Sequence, residues 1–462
     1  MVLSRRAFLE RSAAGVLLVG SPEVLWSAPP GRLTQAGYGG LVDDPGGRLA
    51  LPEGFRYTVV TEAGVTALES GEPTPRNHDG TGAFAGDGGQ TVLVCNHEIR
   101  EGAGTDLQVP HVDGLVYDPG AAGGCTIVVA DAQGRRVSER VGIAGTSTNC
   151  AGGVTPWRTW LTCEETEAVA GEGGMERDHG YVFEVDPFDR EAIRDPQPVR
   201  ALGRYAHEAV VVDPAKGDMY LTEDAGGPNG LLYRWSAPAG FRGGPGVLRQ
   251  LGAQAGVLTA MRCTDGAGAH VDDLSRATEV GTTYQVEWVE VPDRDARETP
   301  TRRQLDDGRV TRAHKLEGAW WGPDPDGRAG AYVVSSYSGG ESPVEHRGQV
   351  WFHDPQRATI TLRLLFGARD SGSDGPDNIT VSPYGGVIVA EDGGSGNHLV
   401  GAAEDGSTYR IARTERGSEF TGPVFSHDGS ILFANVQEPG TMFAITGPWR
   451  PPSGRPADRR GG

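Results

Sequence analysis

The sequence predicts an all-β protein, a six-bladed β-propeller with loop insertions. Three observations carry that prediction. The first is composition: 462 residues with 71 glycines and 31 prolines, short apolar runs and no long amphipathic stretch describe many strands joined by turns. The second is a repeated plan, in which a Gly/Asp/Pro turn leads into a short apolar run that ends in polar or acidic residues; it recurs six times, at irregular intervals of roughly fifty residues. The third is the turn chemistry between runs, where x-Asp-Pro and Asp-Gly pairs suit tight connections between antiparallel strands. A pair of β-sandwiches is the competing architecture, but it gives no reason for the repeats to end alike.

The chain opens with Ser4-Arg5-Arg6-Ala7-Phe8-Leu9, the order of a twin-arginine signal. The apolar run from Ala13 to Gly20 that follows is too short to span a bilayer. Residues 1–28 are therefore expected to be a signal read by the twin-arginine translocase, with cleavage after Ala28. Trp26 is poorly suited to the position three residues before that cut, which leaves a retained anchor open. Such a route exports folded proteins to the periplasm, the cell surface or the medium, and suits a protein that acquires its cofactor first. Residues 29–50 are expected to be a linker, 51–449 the propeller and 450–462 a disordered tail. The repeats are Asp87 to Glu98, Thr155 to Glu165, Asp213 to Gly226, Asp324 to Gly340, Ser382 to Gly394 and Ser426 to Gly440. An Arg- and Asp-rich insertion from Val291 to Val310 is expected to form a loop or lid.

The formal charge of −20 and pI of about 5.0 argue against a nucleic-acid partner, whose phosphates need a basic surface. They are compatible with cation binding. If the acid-terminated runs are the innermost strands of their blades, their ends converge on one axial mouth. Glu98, Glu164, Glu165, Glu223, Asp224, Glu391, Asp392 and Glu438 would meet there. A bare ring of carboxylates repels itself and recruits hard cations with oxygen ligands. His207-Glu208, Glu317 and Asp377-Asn378 lead into strands instead of ending them, and reach the same mouth from neighbouring strands. His207 reads equally well as a structural histidine.

The five cysteines, Cys95, Cys125, Cys150, Cys163 and Cys263, are too few and too scattered for a disulfide framework. Cys150 follows Asn149 and precedes Ala151-Gly152-Gly153, in a segment where backbone can approach closely. A thiolate beside carboxylates is disfavoured unless a metal binds it; calcium is too hard for sulfur, and iron is not. The alternative is a small buried cysteine.

Taken together, "CNHE", "TNCAGG…TWLTCEE", "GRYAHEAVVVDP", "KLEG" and "DGPDNITVSPYGGVIVAEDG" behind a twin-arginine signal resemble the PhoX-type alkaline phosphatases. The resemblance runs from about Leu51 to Trp449 and places the chain in a compact branch. It implies a six-bladed propeller that hydrolyses phosphomonoesters with iron and calcium. It implies metal ligands at Glu98, Cys150, Glu164, Glu165, Glu208, Glu317, Asp377 and Glu391, with Cys150 on iron. Cys150, Glu164, Glu165, Glu208 and Lys315 are the expected catalytic set, and Asn96, Asn149 and Lys315 the expected substrate contacts. Lys315 departs from the family pattern, in which an arginine is expected to help hold phosphate; lysine offers a point charge without a bidentate fork. No Gly-x-Ser-x-Gly elbow is present, in keeping with metal chemistry in place of a serine nucleophile. A calcium-dependent propeller lactonase or esterase, which leaves Cys150 unexplained, and a non-catalytic partner-binding propeller stapled by calcium are the alternatives.

Overall fold

Short apolar runs bounded by Gly, Asp and Pro turns form strands throughout, and the helical segments among the described residues are single 3₁₀ turns. The computed structural model describes residues 37–337, 343–367, 375–393, 396–404, 406–414 and 417–451. The signal at 1–28 and the tail from 452 lie outside the described residues. Among the described residues no helix is long and apolar enough to cross a membrane.

Twelve strands position the site: β1 (His78–Ala85), β2 (Thr91–His97), β3 (Asn149–Val154), β4 (Trp160–Glu164), β5 (His207–Val212), β6 (Met219–Glu223), β7 (Leu316–Pro323), β8 (Ala329–Ser336), β9 (Pro376–Val381), β10 (Val387–Glu391), β11 (Phe420–Phe425) and β12 (Ile431–Val436). Each odd strand pairs antiparallel with the even strand that follows it. The odd strands also pack on one another in turn, β1 on β3, β3 on β5, β5 on β7, β7 on β9, β9 on β11 and β11 back on β1. They therefore ring a common axis.

The arrangement is β-propeller-like. The first, second, fifth and sixth pairs belong to four separate sheets of four, three, six and four strands. The third and fourth pairs share one ten-stranded sheet, joined at their outer edges by Thr283–Glu290, which pairs with Val257–Thr264 on one side and Thr359–Gly367 on the other. Its end strands β5 and β7 pack on each other, so this sheet curls nearly closed. Separate blades thus number four where the repeats predicted six.

The chain closes on itself: Arg56–Glu62 pairs with Thr441–Thr446 in the last sheet. Part of the predicted linker is also structured. Leu41–Val42 pairs with Leu49–Pro52, which adds to Thr408–Thr414, and Leu49 and Ala50 are buried. The insertion is packed down and is no free lid: the Arg294 guanidinium donates to the carbonyls of Ala201, Ala255 and Gly256. The rank of the strands differs from expectation as well. The strands that run into acids, β2, β4, β6 and β10, are second from the axis, and the strands that carry Glu208, Glu317 and Asp377 near their starts are among the innermost.

Candidate metal centre

Every one of the six inner pairs has a register shift beside its first residues: His78/Thr81, Asn149/Gly152, His207/Val210, Leu316/Ala319, Pro376/Ile379 and Thr421/Val424. A β-bulge re-aims side chains and increases local twist. In five of these strands the second residue sits inside the shift: Asp79, Cys150, Glu208, Glu317 and Asp377. The approach of neighbouring backbones at this level is close. A Cβ on Gly80 would lie 2.6 Å from the Cα of Ala151, and one on Gly318 would lie 2.8 Å from the Cα of Asn378. Glycine after the acid lets the strands converge there.

The second-rank strands contribute through their period of two. In each double acid, one member is held among protein donors. Glu164 accepts from the backbone N–H groups of Ser147 (3.0 Å), Gly180 (2.9 Å) and Tyr181 (3.1 Å) and meets His179 Nδ1 at 2.6 Å. The other His179 nitrogen meets Asp118 at 3.2 Å. Burial opposes charge on His179, but the Glu164 and Asp118 carboxylates outweigh it and lift its pKa to about 8. Glu223 accepts from the Tyr233 hydroxyl (2.8 Å) and Arg302 (3.1 Å), and Glu391 meets the N–H and Nδ1 of His398 at 3.0 Å each. The following residues, Glu165, Asp224 and Asp392, join the axial acids.

Three groups of ligand-capable atoms result, each within 4.8 Å: Cys150, Glu165 and Glu208; Glu208, Glu317 and Asp377; Asp377, Asp392 and Glu419. Glu208 and Asp377 are shared, so the groups form one continuous string. Behind it, Gln437 Nε2 donates to Glu98 (2.6 Å) and Asp79 (3.0 Å). Asp224 lies beside Glu165.

The electrostatics follow from burial first and from mutual repulsion second. Both hold the carboxyls of Asp79, Glu165, Glu208 and Asp377 well above the usual range. Glu317 is pushed to about 8 by burial and Asp224, and Glu419 to about 10 by burial and Asp392. Burial likewise raises the Cys150 thiol, with Glu208 and Glu165 adding to it. Against nine carboxyls, Asp79, Glu98, Glu165, Glu208, Asp224, Glu317, Asp377, Asp392 and Glu419, the described residues set two paired cations. Lys315 Nζ lies 3.0 Å from Glu317, and Arg100 Nη2 lies 2.7 Å from Glu98 and 3.9 Å from Glu165. Such a set cannot ionise fully on protein charges alone. It fits metal cations: the all-oxygen groups suit a hard ion such as calcium, and the thiol-bearing group suits a thiophilic transition metal.

Lys315 has a left-handed backbone, φ +39°, uncommon for a residue with a side chain. Its carbonyl accepts from the Ser336 N–H at 2.9 Å, and the turn places its ammonium on Glu317.

Of the predicted site residues, Glu98, Cys150, Glu165, Glu208, Glu317, Asp377 and Lys315 are brought together. Glu164 and Glu391 are turned into the buried partnerships described above. Asn96 holds the backbone behind Cys150, and Asn149 bonds two threonine hydroxyls beside it. Asn96 donates to the carbonyls of Cys150 (2.8 Å) and Ala151 (2.7 Å) and accepts from Trp160 (3.0 Å) and Thr162 (2.9 Å). Asn149 accepts from Thr146 (2.7 Å) and donates to Thr162 (2.9 Å). His207 takes its structural alternative, stacked on Tyr205 at 3.7 Å. Glu438 is exposed, and its neighbour Gln437 is the residue that reaches the acids. Sequence reasoning missed Asp79, Glu419 and Arg100. "HDG" around Asp79 has the form of "LEG" around Glu317, an acid before glycine at the start of a strand, and that likeness was the available signal.

A family model described as "Alkaline phosphatase PhoX" matches residues 36–440. Among solved structures the chain is similar to Pseudomonas fluorescens PhoX in complex with vanadate, a transition state analogue, with a TM-score of 0.65, 18% identity, and 88% of this chain and 97% of that chain covered. It is more distantly similar to the gluconolactonase XC5397 from Xanthomonas campestris, at a TM-score of 0.38 and 12% identity over 91% of this chain and 99% of that one. The PQQ domain of pyranose dehydrogenase from Coprinopsis cinerea gives 0.45 and 10%, over 87% and 98%. No curated protein matches the chain.

Proposed function

The chain belongs to the family of PhoX alkaline phosphatases, metal-dependent phosphomonoester hydrolases, and from that premise we propose that the axial string of acids with Cys150 holds iron and calcium together. The observation that carries this reading is the string itself: three adjoining ligand groups linked through Glu208 and Asp377, one of them containing a thiol. Cys150, Glu165 and Glu208 would hold iron. Glu317, Asp377, Asp392 and Glu419, with Glu208, would hold calcium. Bound there, the cations polarise phosphoryl oxygens and stabilise the leaving alkoxide. Asn96 fixes the backbone that carries Cys150, and Asn149 bonds two threonine hydroxyls beside it. Glu164, Glu223 and Glu391 lock the strand ends that present Glu165, Asp224 and Asp392. Lys315 offers its ammonium to the incoming phosphoryl group. Lys315→Ala should then lower kcat/KM on phosphomonoesters about ten- to a hundredfold.

The nearly closed sheet is read as two blades fused through Thr283–Glu290, which makes six blades in all. Export by the twin-arginine route rests on Arg5 and Arg6; the Lys-Lys variant should stay in the cytoplasm, and normal secretion of it would exclude that route.

Hydrolysis of p-nitrophenyl phosphate by protein loaded with iron and calcium tests the main reading. Activity should disappear with a chelator and return with the metals. A fully loaded protein that hydrolyses no phosphomonoester rejects it.

A further inference from the structure

Arg100 stands at the rim of the same mouth. We infer that it binds the substrate's phosphoryl group together with Lys315, and that this pair selects monoester dianions over diesters; the inference rests on the phosphatase reading above. Arg100 lies three residues beyond β2 and its side chain is 69% exposed, whereas its partner Glu98 is only 7% exposed. Its Nε and Nη2 both contact Glu98 Oε1, at 3.1 and 2.7 Å, and Nη2 lies 3.9 Å from Glu165. Nη1 has no hydrogen-bond partner among the described residues. One edge of the guanidinium is thus anchored and the other is presented to solvent at the mouth.

Lys315 meets the string at Glu317. Its partner Glu317 and Arg100's neighbour Glu165 belong to adjoining ligand groups that share Glu208. Asp224, beside Glu165, lies within electrostatic reach of both cations. The two positive groups therefore sit against adjoining ligand groups at the thiol-bearing end of the string. An acid-lined entrance repels a dianion unless cations at the rim offset it. A lysine at 315 supplies charge without a fork, and Arg100 supplies the planar donors that match phosphoryl oxygens. Because Glu98 already fixes the guanidinium, little side-chain freedom is lost on binding. A diester carries one charge fewer and an ester substituent where a monoester has a free oxygen, so it gains less from the pair.

The test compares the parent enzyme with Arg100→Gln and Arg100→Lys, each loaded with iron and calcium and assayed for metal content. Inorganic phosphate is the probe, as a competitive inhibitor. The second readout is the ratio of kcat/KM for p-nitrophenyl phosphate over bis-p-nitrophenyl phosphate. With metals retained, Arg100→Gln should raise the phosphate Ki about ten- to a hundredfold and narrow that ratio, with Arg100→Lys in between. Unchanged Ki and ratio at full metal content would overturn the inference and leave Arg100 a counterion of Glu98. Should Arg100→Gln fail to hold metals, Arg100→Lys decides on the same terms: a raised Ki upholds the role and an unchanged one removes it. A loaded parent without phosphatase activity would instead overturn the phosphatase reading, and this inference with it.

Discussion

Glu164 and Glu165 are adjacent in sequence and opposite in environment. All of Glu164's contacts are protein donors, so Glu164→Gln places an amide against N–H groups and His179 and breaks a buried charged partnership. The expected cost is about 3–5 kcal/mol, read as a lower unfolding midpoint. Glu165→Gln removes an acid from a self-repelling group, so the metal-free protein should melt no lower than the parent, while bound transition metal and hydrolysis are lost. Thermal unfolding and metal content, measured on both variants, check the pair; equal effects on both would mean that the alternation does not divide the roles. The double acids at Glu164-Glu165, Glu223-Asp224 and Glu391-Asp392 were visible in the sequence. Which member faces the axis was not, because the register of β4, β6 and β10 against their partners sets it. Asp79 was harder to see, since it is held by Gln437 just past the end of another strand, and Arg100 because it lies beyond the end of its own strand.

At the level of elements, the bulge that opens each inner strand turns an ordinary β-ladder into a ligand platform. The sequence showed polar residues leading into strands at Glu208, Glu317 and Asp377, yet ranked those strands behind the acid-terminated ones. Both kinds are buried on two faces, so apolar content does not distinguish them. The insertion from Val291 to Val310 read as a lid because it is rich in Arg and Asp, but two of its arginines, Arg294 and Arg302, are buried and bonded inward. Arg302 reaches Glu223 at 3.1 Å and Glu167 at 2.8 Å, with its side chain 8% exposed. It ties the ends of the second and third inner pairs together beside Glu165 and Asp224. Arg302→Ala leaves Glu223 buried and uncompensated, and should cost about 3–5 kcal/mol. Urea denaturation measures this; a loss within about 0.5 kcal/mol, as for an ordinary surface change, would show that the insertion is not a structural clamp.

For the whole molecule, the class of fold, the axial mouth and its acidity were legible in composition and repeats. The division into blades was less so, because Thr283–Glu290 alternates like any half-buried strand and nothing in it says that it will bridge two outer edges. The concentrated acids give the molecule a pH dependence with a definite sign. Burial and Asp224 raise Glu317 from 4.5 to about 8, and burial and Asp392 raise Glu419 from 4.5 to about 10. A raised carboxyl pKa means that the folded state binds more protons than the unfolded one. These groups therefore stabilise the metal-free fold fully below 4.5, and that contribution is lost as pH rises through 8 and then 10. Calcium binds the ionised form and opposes the loss. Chelated protein should melt at a lower temperature at about pH 9 than at about pH 6, and saturating calcium should raise the melting temperature more at the higher pH. A calcium increment that shrinks with pH would contradict this.

The central claim is that Cys150 and the axial acids form one mixed metal centre for phosphomonoester hydrolysis. Elemental analysis of folded parent and Cys150→Ser protein, with p-nitrophenyl phosphate hydrolysis measured on the same samples, tests it most directly. The parent should carry iron and calcium together and be active; Cys150→Ser should stay folded, keep calcium, and lose most of its iron along with its activity. A Cys150→Ser protein that retains both iron and full activity would contradict the account.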